Sequence, residues 1–366
     1  MLIAQRNLTR EKTRLALSIG GVALAIMLVL ILDGLLAGMY RQITSYLDHT
    51  PGSVVVAQKG VRNLLGATSL LPAGAAADVE AIDGVAEAVP ILSQFVVLDL
   101  HGKKQPTYLV GYSPELGGGP WDVVAGRTPE TDEEMVFDRV LAARHDIGLG
   151  DEVALMDRSY SVVGLSRGTT SWMTSFIFLR QSAVQTLVRA PGAASFLLVE
   201  VEKEEAAESV RDRISELAGV EALLKSDVQA NDRRLFGKFF SAPVRLMAGI
   251  AFLIGALVVG QVIYTATVER RREYGVLKAL GARNRVLYSV VLIQAFWSAL
   301  AGTAFGIFLA LGARTAIMAA RPQFLIVLQA DMAGRALLIG MGMGLLAALF
   351  PARAIAGLEP AEVFRR

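Results

Sequence analysis

The sequence predicts a membrane protein with four transmembrane α-helices and a large α+β extracytoplasmic domain inserted between the first and second of them. Three observations predict this. The 366 residues are 53% hydrophobic with a mean hydropathy of +0.47, too apolar for an ordinary soluble enzyme, while 19% charged residues suffice for one solvated domain. Four runs are apolar over close to the roughly 20 residues that a bilayer core requires. Lys and Arg gather on alternate flanks of those runs, an asymmetry that orients membrane helices.

The first run, 15–32, is uncharged; Asp33 interrupts it and apolar character resumes to Tyr40, giving a first span at 15–40. A signal peptide is the alternative, because Arg6, Arg10, Lys12 and Arg14 precede it. The run exceeds the ~7–15 residues of a signal's apolar region and no small-x-small cleavage site follows, so a retained helix is expected. Further spans are expected at 244–268, 286–313 and 336–352. The last is the shortest, and a buried helix of a soluble domain is its alternative. With the apolar part of the second span counted from Leu246, Asp33 is the one charged residue within these runs. At ~1.5 Å per residue it falls near an interface, not at the midplane where a proton-coupled carrier would place several such groups.

The segments 1–14, 269–285 and 353–366 carry thirteen Lys/Arg, including Arg365 and Arg366, against three (Arg314, Arg321, Arg335) in the 314–335 connection. Both termini and the 269–285 loop are therefore expected in the cytoplasm of a multi-pass cell-membrane protein, and 41–240 outside it.

Within 41–240, "SVVVA" from Ser53, "FVVLDL" from Phe95, "TYLVGY" from Thr107, "FIFL" from Phe176 and "SFLLVEV" from Ser195 read as strands. "HGKK" reads as a hairpin turn, and "EVALMDRSYSVVGL" from Glu152 as two strands joined at Asp157-Arg158. Helices are expected at 76–82, 138–144, 180–187 and 204–217. "VEAIDGVAEAVPIL" and "ISELAGVEALLKS" echo each other, each ending a helix at Gly-Val and running into a strand. The echo suggests a ferredoxin-like split βαβ layer, with a second β-rich lobe inserted over 121–189. "YRQITSYLDHT" and "DVQANDRRLFGKFFSAP" look helical and amphipathic, and would continue the first two spans outward as stalks. Plain juxtamembrane linkers are the alternative.

The absence of cysteine removes disulfides, thiolate metal sites and a thiol nucleophile. There is no G-x-x-x-x-G-K-[ST] loop, no G-x-S-x-G and no H-E-x-x-H. His49, His101 and His145 are widely spaced and read as surface or turn residues, and "GGG" at 117–119 lies in a loop before Trp121. No catalytic residue, metal site or cofactor is expected on this chain, and nothing points to nucleic acid.

The loop "ERRREYGVLKALGARNR" (269–285) carries more than charge. Arg270, Arg271 and Arg272 follow the second span, where cations anchor among anionic headgroups. "EYGVLKAL" suits a two-turn helix, with Glu273 near its positive end and Lys278 near its negative end. Gly281 stops it. Val276, Leu277 and Leu280 give an apolar face that so short a helix cannot bury alone, and Gly275 admits a neighbouring backbone. An anchor explains the arginines; a helix offering apolar knobs to a cytoplasmic partner explains the remainder too. In the third and fourth spans, "GTAFG" (Gly302, Gly306) and "GMGMG" (Gly340, Gly344) carry small-xxx-small spacing, which predicts that these two spans pack tightly.

That loop resembles the cytoplasmic loop of MacB/FtsX-like ABC transporter permeases. "PARAIAGLEPAEVFRR" (351–366) resembles the family's C-terminal signature, and "RNLTREKTRLALSIGGVALAIML" is similar to its N-terminal segment, particularly in DevC-like exporters. "DRVLAARHDIGLGDEVAL" and "YSVVGL" resemble pieces of the MacB-like periplasmic core domain. The resemblance implies a permease subunit without a fused ATPase, paired with a second permease, identical or different. A separate ABC ATPase subunit would carry the ATP and magnesium. It implies that Glu273, Tyr274, Gly275, Val276, Leu277, Lys278, Ala279, Leu280, Gly281 and Ala282 face that ATPase. ATP hydrolysis would then work on the outer domain by mechanotransmission. Export or extraction of a lipid, lipoprotein, peptide or amphiphilic drug would follow, with membrane lipid and an extracytoplasmic adaptor or lipoprotein as further partners. The alternative it leaves is an FtsX-like signalling scaffold that activates a cell-wall hydrolase without transport.

The charge count has a direct test in this cysteine-free chain. Ser159→Cys should react with an impermeant maleimide in intact cells and Ser289→Cys should not. Labelling of Ser159→Cys only after permeabilisation would reverse the topology.

Overall fold

The computed structural model describes residues 12–72, 74–171 and 174–356, and divides into two compact units. Arg6, Arg10, Arg365, Arg366 and most of the C-terminal signature lie outside those residues. One unit, here the αβ unit, comprises 38–239 and 322–325; the helical unit comprises the remaining described residues.

In chain order the elements begin with α1 (Lys12–His49), β1 (Val54–Gln58), α2 (Ala75–Glu80), β2 (Val85–Leu100) and β3 (Lys103–Tyr112). Next come β4 (Val123–Gly126), β5 (Glu134–Asp138), α3 (Arg139–Arg144), β6 (Glu152–Leu155), β7 (Arg158–Ser166), β8 (Ser175–Arg180) and α4 (Gln181–Leu187). The chain continues through β9 (Phe196–Val201), α5 (Ala207–Ser215) and β10 (Val220–Leu224). It closes with α6 (Lys225–Glu269), α7 (Arg271–Ala279), α8 (Asn284–Ala320) and α9 (Met332–Ala356).

The split βαβ layer is present. Strands β10-β1-β9-β2 lie in that order, each antiparallel to its neighbour. β1 is a continuous apolar run because both of its faces are buried, Val54 and Val56 on one and Val55 and Ala57 on the other. Val79 of α2 and Val210 and Ile214 of α5 pack on Val54, Val56 and Val199 of the sheet. Val210 and Ile214 are four apart, one face of a helix.

The inserted lobe begins earlier than the sequence reading placed it. β2 is a single sixteen-residue strand shared by both layers. Its first half pairs with β9, through Ile91↔Phe196, and its second half pairs with β3, from Leu92↔Gly111 to Leu100↔Lys103. The lobe therefore starts at Leu92, not near Trp121, because the β2–β3 hairpin supplies its first two strands and Leu92, Leu98 and Leu109 belong to its core. His101 and Gly102 form the two-residue turn, both at positive φ (53° and 78°), the geometry of a type I′ hairpin. The β6–β7 turn falls at Met156-Asp157, one residue before the expected place. β5, "EMVFD", was not legible as a strand, since it shows no alternation: it is buried between β8 and β7.

Asp138 ends β5 and ties this lobe together. Its carboxylate is wholly buried. It accepts from Leu141 N (2.8 Å) as the N-cap of α3, and from the hydroxyls of Thr169 (2.7 Å), Thr170 (2.8 Å) and Ser175 (3.3 Å). Four donors offset the desolvation of a buried charge. His145 is also buried, and of the two readings, surface or turn, it takes the turn, as the C-cap of α3.

In the helical unit, α1, α6, α8 and α9 are each long and apolar enough to cross a membrane. Ile26, Leu30, Val259, Ile263, Leu287 and Met343 meet in its core, while Leu246, Leu257, Phe308 and Leu338 point outward. Lipid is the solvent in which such an outward apolar face is stable. Asp33 is paired: Arg335 lies 3.1 Å from it and also bridges Asp331.

The glycine seams differ from expectation. Gly340 lies against Thr303 and Ala299, and Gly344 against Ala299 and Ala295, so the fourth span does pack on the third. A Cβ on Gly302 would instead meet Val22 at 2.5 Å, and one on Gly306 would meet Ala23 O and Ile26. Gly302 and Gly306 thus seat the third span on the first. The spacing signals close approach but cannot name the neighbour.

A Val22→Cys/Gly302→Cys pair should accordingly form an intrachain disulfide on mild oxidation, read as protection from maleimide. A Gly302→Cys/Gly340→Cys pair should not. Gly340→Leu should lower stability by about 1–3 kcal/mol through overpacking against Thr303. Cross-linking of the second pair in place of the first would overturn the assignment.

Candidate coupling helix and helix clamp

α7 forms where the sequence places it. It runs from Arg271 to Ala279 with Leu280 as C-cap, and Gly281 takes φ +91°. Ala282 N donates to Leu277 O (3.0 Å) and Gly281 N to Lys278 O (3.1 Å), the paired bonds of a Schellman stop. Glu273 sits in the first turn and Lys278 in the last, each matched to the helix dipole.

The apolar face divides in two. Tyr274 and Gly275 are buried, and Tyr274 and Leu277 pack with Leu287 and Val291 in the helical unit's own core. Val276 is exposed, and Leu280 is 80% exposed. Leu277 is therefore not an outward knob as the sequence suggested: at i and i+3 it shares Tyr274's inward side. The outward surface of α7 consists of Arg271, Arg272, Glu273, Val276, Ala279 and Leu280, while Arg270 and Lys278 are half-buried.

The second assembly lies in the αβ unit, where α1 ends and α6 begins. The Lys225 ammonium donates to Thr50 O (2.7 Å) and its N–H to Ser53 O (2.8 Å). The Gln229 amide donates to Asp48 (2.7 Å). Burial holds the Lys225 pKa below its ordinary value. On the other side of α1, the Tyr46 hydroxyl donates to Gly118 O (2.6 Å), and its ring stacks on Phe176 (5.5 Å). His49 stacks on Trp121 at 4.7 Å. The "GGG" run has its purpose here: Gly117 and Gly118 take positive φ, and a side chain on Gly119 would strike the Tyr112 ring. Only the amphipathic character of the flanking stretches hinted at this clamp. The residues that close it lie far apart in sequence.

Asp232 of α6 is the strained member. It is 1% exposed. One carboxylate oxygen accepts from Asn63 Nδ2 (3.1 Å) and Leu65 N (3.3 Å), while the other is buried without a partner. Burial pushes its pKa from 3.8 up to about 7. Among the described residues no group of three or more His, Asp or Glu could hold a metal ion.

Four spanning helices, two of which continue into a split βαβ layer carrying an inserted β lobe, define a permease with an outer domain. The chain belongs to the ABC transporter permeases of MacB/FtsX type: the MacB-like periplasmic core domain matches residues 15–217, and the FtsX-like permease C-terminal domain matches 245–360. It is 25% identical over 314 residues to an uncharacterized ABC transporter permease of Mycobacterium tuberculosis, covering 85% of each chain. Another, of Mycobacterium bovis, is 24% identical and covers 100% of this chain and 99% of its own. A third, of the archaeon Methanocaldococcus jannaschii, is 25% identical over 63% of this chain and 59% of its own. A permease of this class works with an ABC ATPase subunit.

Asp232 gives the clamp a pH dependence. Its folded pKa lies above the unfolded value, so the native state binds more protons between pH 3.8 and about 7. Stability is fully present below that window and falls as pH rises through it, by up to about 1.4 kcal/mol per pH unit. Buried His145, whose pKa is lowered, acts with the opposite sign, so the measured quantity is the difference between wild type and Asp232→Asn. Melting curves at pH 5 and pH 8 should show the wild type losing more stability than the variant. Equal losses would refute the assignment.

Proposed function

We propose that this chain couples ATP hydrolysis on a separate ATPase subunit to movement of its αβ unit, and that this work exports or extracts an amphiphile. The observation that carries the reading is the continuity of α1 and α6. Each is one unbroken helix with a bilayer-length apolar stretch, and each ends in the clamp. A hydrogen-bonded helix transmits displacement along its axis, whereas a linker absorbs it. Pro243 lies inside α6 and cannot donate to Phe239 O, which leaves the helix one bond weaker where it leaves the αβ unit.

In this reading both termini and α7 face the cytoplasm, Arg270–Arg272 contact headgroups, and a second permease completes the transporter. Val276 and Leu280 enter a cleft on the ATPase, which holds the ATP and magnesium. Glu273 and Ala279 rim the contact, and Gly281 and Ala282 fix the helix end. Phe95 and Val97, each more than half exposed and two apart on one face of β2, favour an amphiphile over a small polar solute.

Leu280→Asp should weaken ATPase retention roughly ten- to hundred-fold, the equivalent of about 1.5–3 kcal/mol for one buried leucine. Membrane insertion and melting temperature should stay unchanged. Leu277→Asp should lower the melting temperature as well, because it also disrupts the permease's own core. Lys278→Ala should be mild. Co-purification with the ATPase, ATP turnover and insertion are the readouts. If Leu280→Asp kept full ATPase binding and coupled turnover, α7 would be an anchor only.

A further inference from the structure

We propose that the groove between α6 and α9 is a binding site for an anionic phospholipid of the bilayer. The groove has a volume of about 620 Å³, within the range of sites that hold organic ligands. It exists because the two helices touch through small residues. Gly260 faces Ala347, where a Cβ added to the glycine would meet the Ala347 backbone at 3.4–3.5 Å, an ordinary contact, and Pro351, one turn further along α9, cannot donate to the Ala347 carbonyl. Larger side chains flank this contact and leave space beside it.

The lining is graded along its length. On α6, Leu253 and Leu257 precede the Gly260 contact, while Gln261 and Tyr264 follow it; on α9, Leu346 precedes Ala347, while Leu349 and then Arg353 follow. The groove therefore has an apolar end and a polar end, the pattern of a lipid with its chain and headgroup. Among the described residues, no hydrogen bond or ion pair engages the side chains of Gln261, Tyr264 or Arg353. An amide, a phenol and a guanidinium can all donate to phosphate oxygens, and Arg does so in a planar fork. Gln261 and Tyr264 lie toward the end of α6 that leads into Arg270–Arg272, so further cations follow them within about two helical turns, while Arg353 comes from the last turn of α9. Basic pockets of this kind between membrane helices bind anionic headgroups.

Charge sign selects the occupant. Arg353 repels the choline or ammonium of a zwitterionic lipid and has no such quarrel with a net anion. The C-terminal ends of α6 and α9 present carbonyls and add no attraction for phosphate. The preference for an anionic headgroup must therefore come from the cations, with Arg353 the one that lines the groove. This inference does not depend on the direction of transport or on the docking of α7.

The test uses the purified full-length chain in detergent, titrated with phosphatidylglycerol or phosphatidylcholine and read by native mass spectrometry. Wild type should retain phosphatidylglycerol several-fold more than phosphatidylcholine. Arg353→Gln should bring that ratio close to one at an unchanged melting temperature. Leu257→Trp, at an exposed position that fills the groove without touching the Gly260 contact, should reduce retention of both lipids. An unchanged ratio in Arg353→Gln, or equal retention of both lipids by wild type, would overturn the proposal. So would disulfide formation between two Leu257→Cys chains with lipid excluded, which would make the groove a contact between copies.

Discussion

The antiparallel pairing of β1 with β10 is the constraint on which the rest depends. In the strand order β10-β1-β9-β2, the first and last strands of the layer are neighbours, and Val54 at the start of β1 faces Leu224 at the end of β10. The helix that leads into β1 and the helix that follows β10 must therefore meet at one edge of one sheet. α6 begins at Lys225 with no intervening loop, and its first residue bonds the two carbonyls, Thr50 and Ser53, that lie between α1 and β1. Any chain that enters and leaves such a layer through helices acquires a paired stem without further design. Side chains such as Gln229, Asp48 and Tyr46 then fix its register.

The inserted lobe hangs on the same layer through one shared strand. Because β2 passes from pairing with β9 to pairing with β3 inside sixteen residues, the two cores are joined by sheet rather than by a linker. Phe176 and Trp121 of the lobe reach the stem helix directly, through Tyr46 and His49. Asp138 holds the lobe's own centre. Asp232 is among the few groups of this unit with a buried polar atom left without a partner, and a half-satisfied buried carboxylate costs stability that the surrounding packing has to offset.

The helical unit is governed by a different solvent. Lipid supplies no hydrophobic drive between apolar helices, so association rests on how closely the backbones approach. Gly302 and Gly306 bring the third span to the first, Gly340 and Gly344 bring the fourth to the third, and Gly255, where a Cβ would meet Ala25 at 2.5 Å, brings the second to the first. Each seam uses a different glycine face. Larger residues elsewhere on the same helices are left to meet lipid.

Wherever the physics is local in the chain, the sequence by itself determined the outcome. Apolar runs of bilayer length become helices because only a helix satisfies its backbone hydrogen bonds within a single segment in lipid. The His101-Gly102 turn, the Gly281 stop of α7 and the repeated helix-Gly-Val-strand units are equally local, and each is where the residues alone put it. Tertiary structure decided everything that needed a partner from far away: which helix each glycine seam faces, where the inserted lobe begins, and which apolar residues of α7 remain outward. Leu277 and Leu280 are indistinguishable by composition, yet one packs with Leu287 and the other is exposed. The physical reason is that spacing fixes the direction of a side chain on its own element, while burial depends on the element that happens to lie there.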